Sequence, residues 1–508
     1  MDSTYNHYST KLISTCTSHW IFLISCLILA VNAYWFWQTE VDDALIYARY
    51  IQNLIDGNGF VYNTGEYVNG LTSPLFGYLS IIPAFFLDDA RDGIMTISVL
   101  FTFATLVIYY HLVNTLASDN KFAAIFAWLA VCSTITYLNL GMESSLFTFM
   151  VGLCLFLYFR EFHLILGICV GLLILARPEG VFLVPAMALN TFLYKRKWPP
   201  LSCYVIPTLL ISIQLLFNYL YYDSFLPSSG MAKIYQGESG VWGENSYLLT
   251  LFTRFNFGLT VNGNWIVAAV LFVLAFCSLA LKSARQFHIV SITFLVFYTL
   301  FFTIFNIPPQ AWYYAIYYVL LWTYVALGLK WITQVLIPKY YLFVSYGSYF
   351  LILAMLIWQE PIMKSSHGST VREDYKEFGI WLSQNTPEES SVAVVEIGTI
   401  GWYSKRRIID ILGLVTADVA IFIASGDFHS WVGLYQPDYI LVHNPISGME
   451  KGIQQLAESD SGSLTEVTSF NFPGFKLYQF IVDDCKSSDD LGPMPSKTKG
   501  DICSIAFG

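Results

Sequence analysis

Eleven apolar runs, separated by short polar breaks, constrain this 508-residue chain more than any other feature of it. A helix needs roughly 20 apolar residues to cross a bilayer. Runs suited to that lie at 20–37, 94–116, 121–139, 144–160, 201–222, 263–281, 288–306, 312–329 and 340–358. Two shorter ones, 164–176 and 181–194, flank the break Arg177-Pro178-Glu179-Gly180 and are counted with them. Hydrophobic residues make up 56% of the chain and charged ones 12%, where a soluble globular chain carries roughly 25% charged residues. This is the composition of a polytopic helical membrane protein. A formal charge of -10 excludes a phosphate-backbone partner, because nucleic-acid binding needs a basic surface.

Orientation follows from where the basic residues fall. The first run closes on Tyr34-Trp35-Phe36-Trp37, an interfacial aromatic belt rather than the small residues of a cleavage site, so it reads as a retained span. The stretch 74–87, PLFGYLSIIPAFFL, has 14 residues and an internal Pro83, which suits a segment lying in the interface. Leaving it uncrossed gives 11 spans. Lys11, Lys121, Arg160, Lys195, Arg196, Lys197, Lys282, Arg285, Lys330 and Lys339 then share the inner side, as short cytoplasmic loops require. The long outer loops are 38–93 and 223–262, rich in acids from Glu40 to Glu244, and the C-terminus is outside.

From about residue 360 the composition becomes that of a soluble domain. YKEFGIWLSQN spaces Phe378, Trp381 and Leu382 as a helix does, SVAVVEIG and DYILVHN read as strands, and TSFNFPGFKLYQFIV reads as a hairpin turning at Pro473-Gly474. The expected layout is a membrane domain over 1–359, a mixed α/β domain over 360–483 and a disordered tail over 484–508. Seven of nine cysteines lie in or beside apolar runs; Cys485 and Cys503 either pair as an exported disulfide or stay free in the tail. No internal repeat is visible.

The chemistry gathers in loop 38–93. Asp42 and Asp43 begin an amphipathic helical pattern (Ala44, Ile46, Tyr50, Leu54), and a helix N-terminus favours the ionised carboxylate. A carboxylate at a membrane surface is where a base is needed when one substrate comes from lipid and the other from water. The simpler reading is that the pair caps a surface helix. Gly57, Gly59, Gly65 and Gly70 punctuate the loop for tight turns. Asn69, Thr72 and Ser73 offer uncharged groups suited to sugar hydroxyls, and Glu143, in LGMESS, reaches the same face.

VDDALIYARYIQNLIDGNGFVYNTGEYVNGLTSPL resembles the first outer loop of GT-C fold glycosyltransferases, most closely that of the mycobacterial terminal arabinofuranosyltransferase family, AftB, and its proteobacterial relatives. LGMESSLF, LARPEG and YYDSFLPSSGMAK follow in the family's order, so the likeness covers roughly residues 20–330. The resemblance implies a GT-C membrane domain, a polyprenyl-phosphate sugar donor, and inverting single-displacement transfer on the outer face. It implies Asp42 as general base, with Asp43 the competing neighbour, and Lys233 as the cation for the leaving phosphate, followed by Arg177 and Arg49. Glu143, Asn69, Thr72 and Tyr235 are expected to contact donor or acceptor. For Arg177 the alternative is a pair with Glu179 or snorkelling to headgroups, and for Arg49 a headgroup anchor. Asp223-Ser224 and Ser228-Ser229 replace the family's usual Gly-Asp and Asn-Thr, which leaves the donor sugar open. Trp312, Tyr313 and Tyr314 line either the lipid groove or an interfacial belt.

No metal is implied for such a donor, although Asp42, Asp43 and Glu143 are the set that would hold a divalent cation if one were used. The histidines show no ligand spacing for zinc, and neither G-x-S-x-G nor a Walker loop is present. The basic run Lys405-Arg406-Arg407, after a glycine-rich turn in EIGTIGWYSKRRIID, reads as a contact for an anionic acceptor glycan or as a solvated turn. The expected activity is transfer of one sugar, arabinofuranose or another pentose, to an envelope glycan such as lipopolysaccharide. The chain is rich in Ile, Ser, Tyr and Asn and lacks the Ala, Arg and Gly bias of a mycobacterial protein, so a Gram-negative inner membrane is expected rather than a mycobacterial wall, with the site and C-terminal domain on the periplasmic side. The rival readings are a transporter or flippase of lipid-linked sugar and a noncatalytic envelope scaffold. Transporters set broken helices around a midplane site, whereas here the polar residues collect at one face.

Overall fold

The computed structural model describes residues 2–38, 41–133, 135–138, 140–243, 246–259, 265–335, 370–458 and 464–480. The apolar run 340–358, Glu40, Glu244, Lys339, Cys485, Cys503 and the tail 484–508 lie outside the described residues. The other ten runs are helical. In chain order the membrane domain comprises α1 (Asp2–Phe36), α2 (Asp42–Ile55), α3 (Pro74–Leu87), α4 (Ala90–Ala117), α5 (Asn120–Val131), α6 (Ile135–Leu138), α7 (Ser144–Phe159) and α8 (His163–Ala176). It continues with α9 (Leu183–Lys195), α10 (Ser202–Tyr222), α11 (Ser228–Glu238), α12 (Ser246–Leu259), α13 (Trp265–Cys277), α14 (Arg285–Ile304) and α15 (Ala315–Val335).

Five helices among the described residues, in α1, α4, α10, α14 and α15, are long and apolar enough to cross a membrane, and shorter apolar helices pack between them. The lipid-facing surface is explicit on α10, where Val205, Leu209, Ile213, Leu216 and Leu220 recur at helical spacing and stay exposed. Lipid is the solvent for such a stripe. The run 121–139 is broken after α5, because Thr136 Oγ1 takes the carbonyl of Ala130 at 2.6 Å and the Tyr137 hydroxyl takes that of Val131. Side chains thus use the carbonyls that a continuing helix would use. The 14-residue stretch 74–87 is one helix, α3, which buries Phe76, Gly77, Ser80 and Ala84 and leaves Ile82, Phe85 and Phe86 exposed.

The C-terminal domain contains α16 (Thr370–Asn385), β1 (Ser391–Val394), α17 (Ile397–Ser404), β2 (Arg407–Asp410), α18 (Ala417–Ala424), α19 (Ser430–Tyr435), β3 (Tyr439–His443), α20 (Lys451–Glu458), β4 (Leu464–Glu466) and β5 (Phe475–Phe480). The sheet order is β2-β1-β3-β5-β4, with β1 parallel to β2 and β3, and β5 antiparallel to β3 and β4. The stretch read as a hairpin holds one strand: β5 pairs antiparallel with β4, which precedes that stretch, and Pro473-Gly474, with Gly474 at φ +84°, turns the chain directly into β5.

The expected glycine-rich turn is instead the helix α17. Its glycines serve close approach rather than turning: a Cβ on Gly398 would overlap the Asp42 backbone, and one on Gly401 the Tyr62 hydroxyl. This lets α17 lie directly on α2, while α18 rests on α11.

Candidate active site

Asp42 and Asp43 share the first turn of α2 and face different partners. Asp42 accepts backbone N–H groups from Gly398 (3.1 Å) and Thr399 (2.7 Å), the first turn of α17. It therefore caps a helix of the other domain, and both of its oxygens are engaged. Burial pushes its carboxyl up to about 6, helped by the charge of Asp43 and opposed by the Thr399 and Gly398 donors. Asp43 lines a narrow cavity of about 50 Å³ together with Tyr47, Thr72, Glu143, Ser229, Lys233, Trp312 and Tyr313. Burial raises its carboxyl too; Lys233 draws it down and Glu143 adds to the rise.

Lys233, on α11, makes no hydrogen bond or ion pair among the described residues and is the cavity's uncommitted cation. Arg177 is the opposite case. Its guanidinium is 4% exposed, is paired with Glu143 and, through two nitrogens at 3.2 and 2.8 Å, with Glu179, and lies 4.7 Å from the Tyr313 ring centroid. The pair with Glu179 weighed from sequence is present; snorkelling is not. One arginine between two buried carboxylates leaves a net negative charge, and Glu143 Oε2 has no hydrogen-bond partner among the described residues. Burial raises the Glu143 carboxyl, and Arg177 opposes the rise.

Other expected ligands have different partners. Arg49 is neither a ligand nor a headgroup anchor: it donates to the carbonyls of Tyr62 (2.8 Å), Gly401 (2.8 Å) and Arg406 (2.6 Å) and stacks on Tyr62. Asn69 is buried, and its carbonyl accepts the Ser228 N–H at 2.7 Å, fixing the loop to α11. Thr72 lines the cavity beside Tyr47. Tyr235 packs into the core outside the cavity lining. Trp312 and Tyr313 line the cavity, while Tyr314 is buried with its hydroxyl on the Tyr247 carbonyl.

Two residues of the basic run are also committed. Arg406 is buried and bonded to Ser383, Ser404 and Thr386, and Arg407 pairs with Glu66 at 2.6 Å. Among the described residues no group of three or more His, Cys, Asp or Glu side chains is arranged to hold a metal ion. The set Asp42, Asp43 and Glu143 does not fit one, because the first is capping α17 and the third is paired with Arg177.

Sequence reasoning missed what the C-terminal domain brings. Asp410 gathers the N–H groups of Leu412 (2.8 Å), Leu414 and Val415 (3.0 Å) into a turn that sets Leu414 against the cavity. Ser228 Oγ and Gln236 of α11 bind the Leu414 and Leu412 carbonyls of that turn. Behind Asp42, His443 joins Glu396 (3.3 Å) and Glu450 (3.0 Å). Burial would lower the imidazole, yet its bonds to the two carboxylates raise it to about 10. Across the turn, a groove of about 840 Å³ between the domains is lined by Tyr67, Tyr219, Tyr221 and Tyr435 with the acids Glu66, Asp223 and Asp418.

Comparison with known proteins places this geometry in a fold. The structure resembles ArnT from Cupriavidus metallidurans bound to undecaprenyl phosphate, with a TM-score of 0.59 at 11% identity over 92% of this chain and 99% of that one. It also resembles the apo oligosaccharyltransferase of Archaeoglobus fulgidus, with a TM-score of 0.52 at 13% identity over 84% of this chain and 69% of that one. The fold is the GT-C fold of integral membrane proteins, as the motif resemblance implied. In sequence, 89 residues are 35% identical to a terminal beta-(1->2)-arabinofuranosyltransferase of Corynebacterium glutamicum, and the chain spans 13% of that relative's length. Residues 365–484 match a family described as a domain of unknown function, DUF8728.

Proposed function

We propose that this chain is a glycosyltransferase that moves one sugar from a polyprenyl-phosphate donor to a hydroxyl of an envelope glycan, with inversion. The observation that carries the reading is the pairing, in one cavity, of an uncapped carboxylate, Asp43, with an uncommitted ammonium, Lys233. Support comes from the GT-C fold, from the ArnT structure bound to undecaprenyl phosphate and from the arabinofuranosyltransferase match.

Asp43 is the general base, because Asp42 is turned to α17. The acceptor hydroxyl forms its bond to the anomeric carbon and passes its proton to Asp43, while the bond from that carbon to the phosphate oxygen breaks. The leaving phosphate keeps the electron pair, and Lys233 stabilises its charge. A positioned base contributes about 100- to 10,000-fold in rate. The negative cluster at Glu143 and Arg177 keeps the phosphate on the Lys233 side and offers Glu143 Oε2 to a sugar hydroxyl. A donor sugar needs more than the present cavity, since ligand pockets hold about 300 Å³ or more. Binding therefore moves the 66–72 loop or Trp312.

The tyrosine and acid groove between the domains suits an acceptor glycan, because aromatic faces stack on sugars and carboxylates take their hydroxyls. The donor is a pentose, the acceptor lipopolysaccharide or another surface glycan, and the site faces the periplasm from the inner membrane. No divalent cation is required, given the commitments of Asp42 and Glu143. The test is transfer by purified protein from a panel of polyprenyl-phosphate sugars to extracted envelope glycan, with and without chelator. Transfer from one donor, undiminished by chelator, is the expected result. No transfer from any donor, with donor crossing liposomes instead, would make the protein a transporter.

A further inference from the structure

At the far end of the bundle from Asp43 lies a cavity of about 710 Å³ that the proposed reaction does not use. Its position follows from the helices that line it. Helix α7 starts just after Glu143 and ends at this cavity with Phe159, and α8 starts in it at His163 and ends next to Arg177. At 1.5 Å per residue, that places roughly 20–25 Å of helix between the two sites.

Its lining is divided by chemistry. The floor is apolar, with Leu166, Met187 and Phe287 all buried. The rim carries Lys195, Lys197, Lys282 and Arg285. Lys195 pairs with Glu161 at 2.6 Å, but the side chains of the other three make no ion pair or hydrogen bond among the described residues. His163 adds a buried Nδ1 with no hydrogen-bond partner among the described residues. Trp198, which also lines the cavity, is 70% exposed, and Leu164 and Leu201, chain neighbours of the lining residues His163 and Pro200, are exposed too.

We infer that this cavity binds an anionic phospholipid, its phosphate between Lys197, Lys282 and Arg285 and an acyl chain over the apolar floor. All three are exposed at inter-helix connections, as the orientation rule alone would leave them; what sets them apart is that they share one concavity of ligand size with an apolar floor. A free inorganic phosphate would explain the cations but neither the apolar floor nor the lipid-facing rim. Basic pockets between spans on the cytoplasmic side are recognised headgroup sites. The inference is independent of the transferase reading, because no residue of the Asp43 cavity takes part.

The test is native mass spectrometry of the full chain titrated with phosphatidylglycerol, phosphatidylcholine or inorganic phosphate. Parent protein is expected to prefer phosphatidylglycerol to phosphatidylcholine. Each of Lys197→Gln, Lys282→Gln and Arg285→Gln should weaken that binding about fivefold, and the triple variant about a hundredfold, with phosphatidylcholine binding unchanged. Lys282→Arg keeps the charge and should keep the affinity, which separates recognition from misfolding. Binding by the triple variant within about twofold of the parent, or no preference for the anionic lipid in the parent, overturns the proposal. Inorganic phosphate binding as tightly as the lipid overturns its lipid half.

Discussion

Replacing Arg49 by Met should loosen the C-terminal domain from the membrane domain, because this one guanidinium binds carbonyls on both sides of the joint. Its partners are Tyr62 at 2.8 Å within the loop, and Gly401 at 2.8 Å and Arg406 at 2.6 Å across it. A hydrogen bond to a charged group contributes about 1.5–3 kcal/mol, so the two that cross the joint would sum to roughly 3–6 kcal/mol if they were independent. They share one side chain, and Arg49 is only partly buried, so water recovers part of the loss. The expected cost is about 3 kcal/mol in docking, a factor of about a hundred or more. Amide hydrogen exchange of the detergent-purified chain measures it directly. Residues 397–408 should exchange faster by that factor while α7 is unchanged. Arg49→Lys should fall between, since one ammonium cannot serve carbonyls in three directions. Unchanged protection over 397–408 in Arg49→Met would refute the reasoning.

Arg177→Met leaves Glu143 and Glu179 buried without their cation, and breaking a buried pair in that way costs about 3–5 kcal/mol; the thermal transition should fall, and Glu143→Gln added to it should restore part of the loss. For Asp42, burial holds the docked carboxyl near 6, above its ordinary 3.8. The docked state then binds the proton more tightly, so this group strengthens docking as pH falls from 7 through 6 toward 4 and adds no further change below that. The range is at most about 3 kcal/mol, at 1.36 kcal/mol per pH unit between the two values. Exchange at 397–408 should slow from pH 7 to pH 5 in the parent more than in Asp42→Asn; an equal pH response in both would contradict it. Lys233→Gln should weaken donor binding and slow transfer together, by about 10- to 150-fold if one charged hydrogen bond to phosphate is lost; steady-state kinetics decide, and unchanged values would remove Lys233 from the site.

Much of the membrane domain was legible because lipid imposes a simple rule: long apolar runs must be helices. Ten runs are helical, and the acidic first loop and LGMESS do come together with SSGMAK around one cavity, with Arg177 of LARPEG paired to Glu143 at its wall. Individual roles were less legible. Neighbouring Asp42 and Asp43 differ only by direction, and direction is set by α17, some 350 residues later in the chain. Arg49 and Arg406 read as ligands because an unpaired arginine in sequence looks available, yet backbone carbonyls from distant segments use both. Carbonyl partners leave no mark in composition. Gly398 and Gly401 read as a turn because the reason for their small size, the α2 backbone and Tyr62 lying against them, is also distant in sequence.

The central claim is that Asp43, and not Asp42, takes the proton of the acceptor. Single-turnover transfer with Asp43→Asn and Asp42→Asn beside the parent, at saturating donor, tests it most directly. The account predicts a loss of about 100- to 10,000-fold in Asp43→Asn with donor binding kept, and a much smaller loss in Asp42→Asn that tracks domain docking. The reverse order, with Asp43→Asn as fast as the parent and Asp42→Asn inactive, would contradict it.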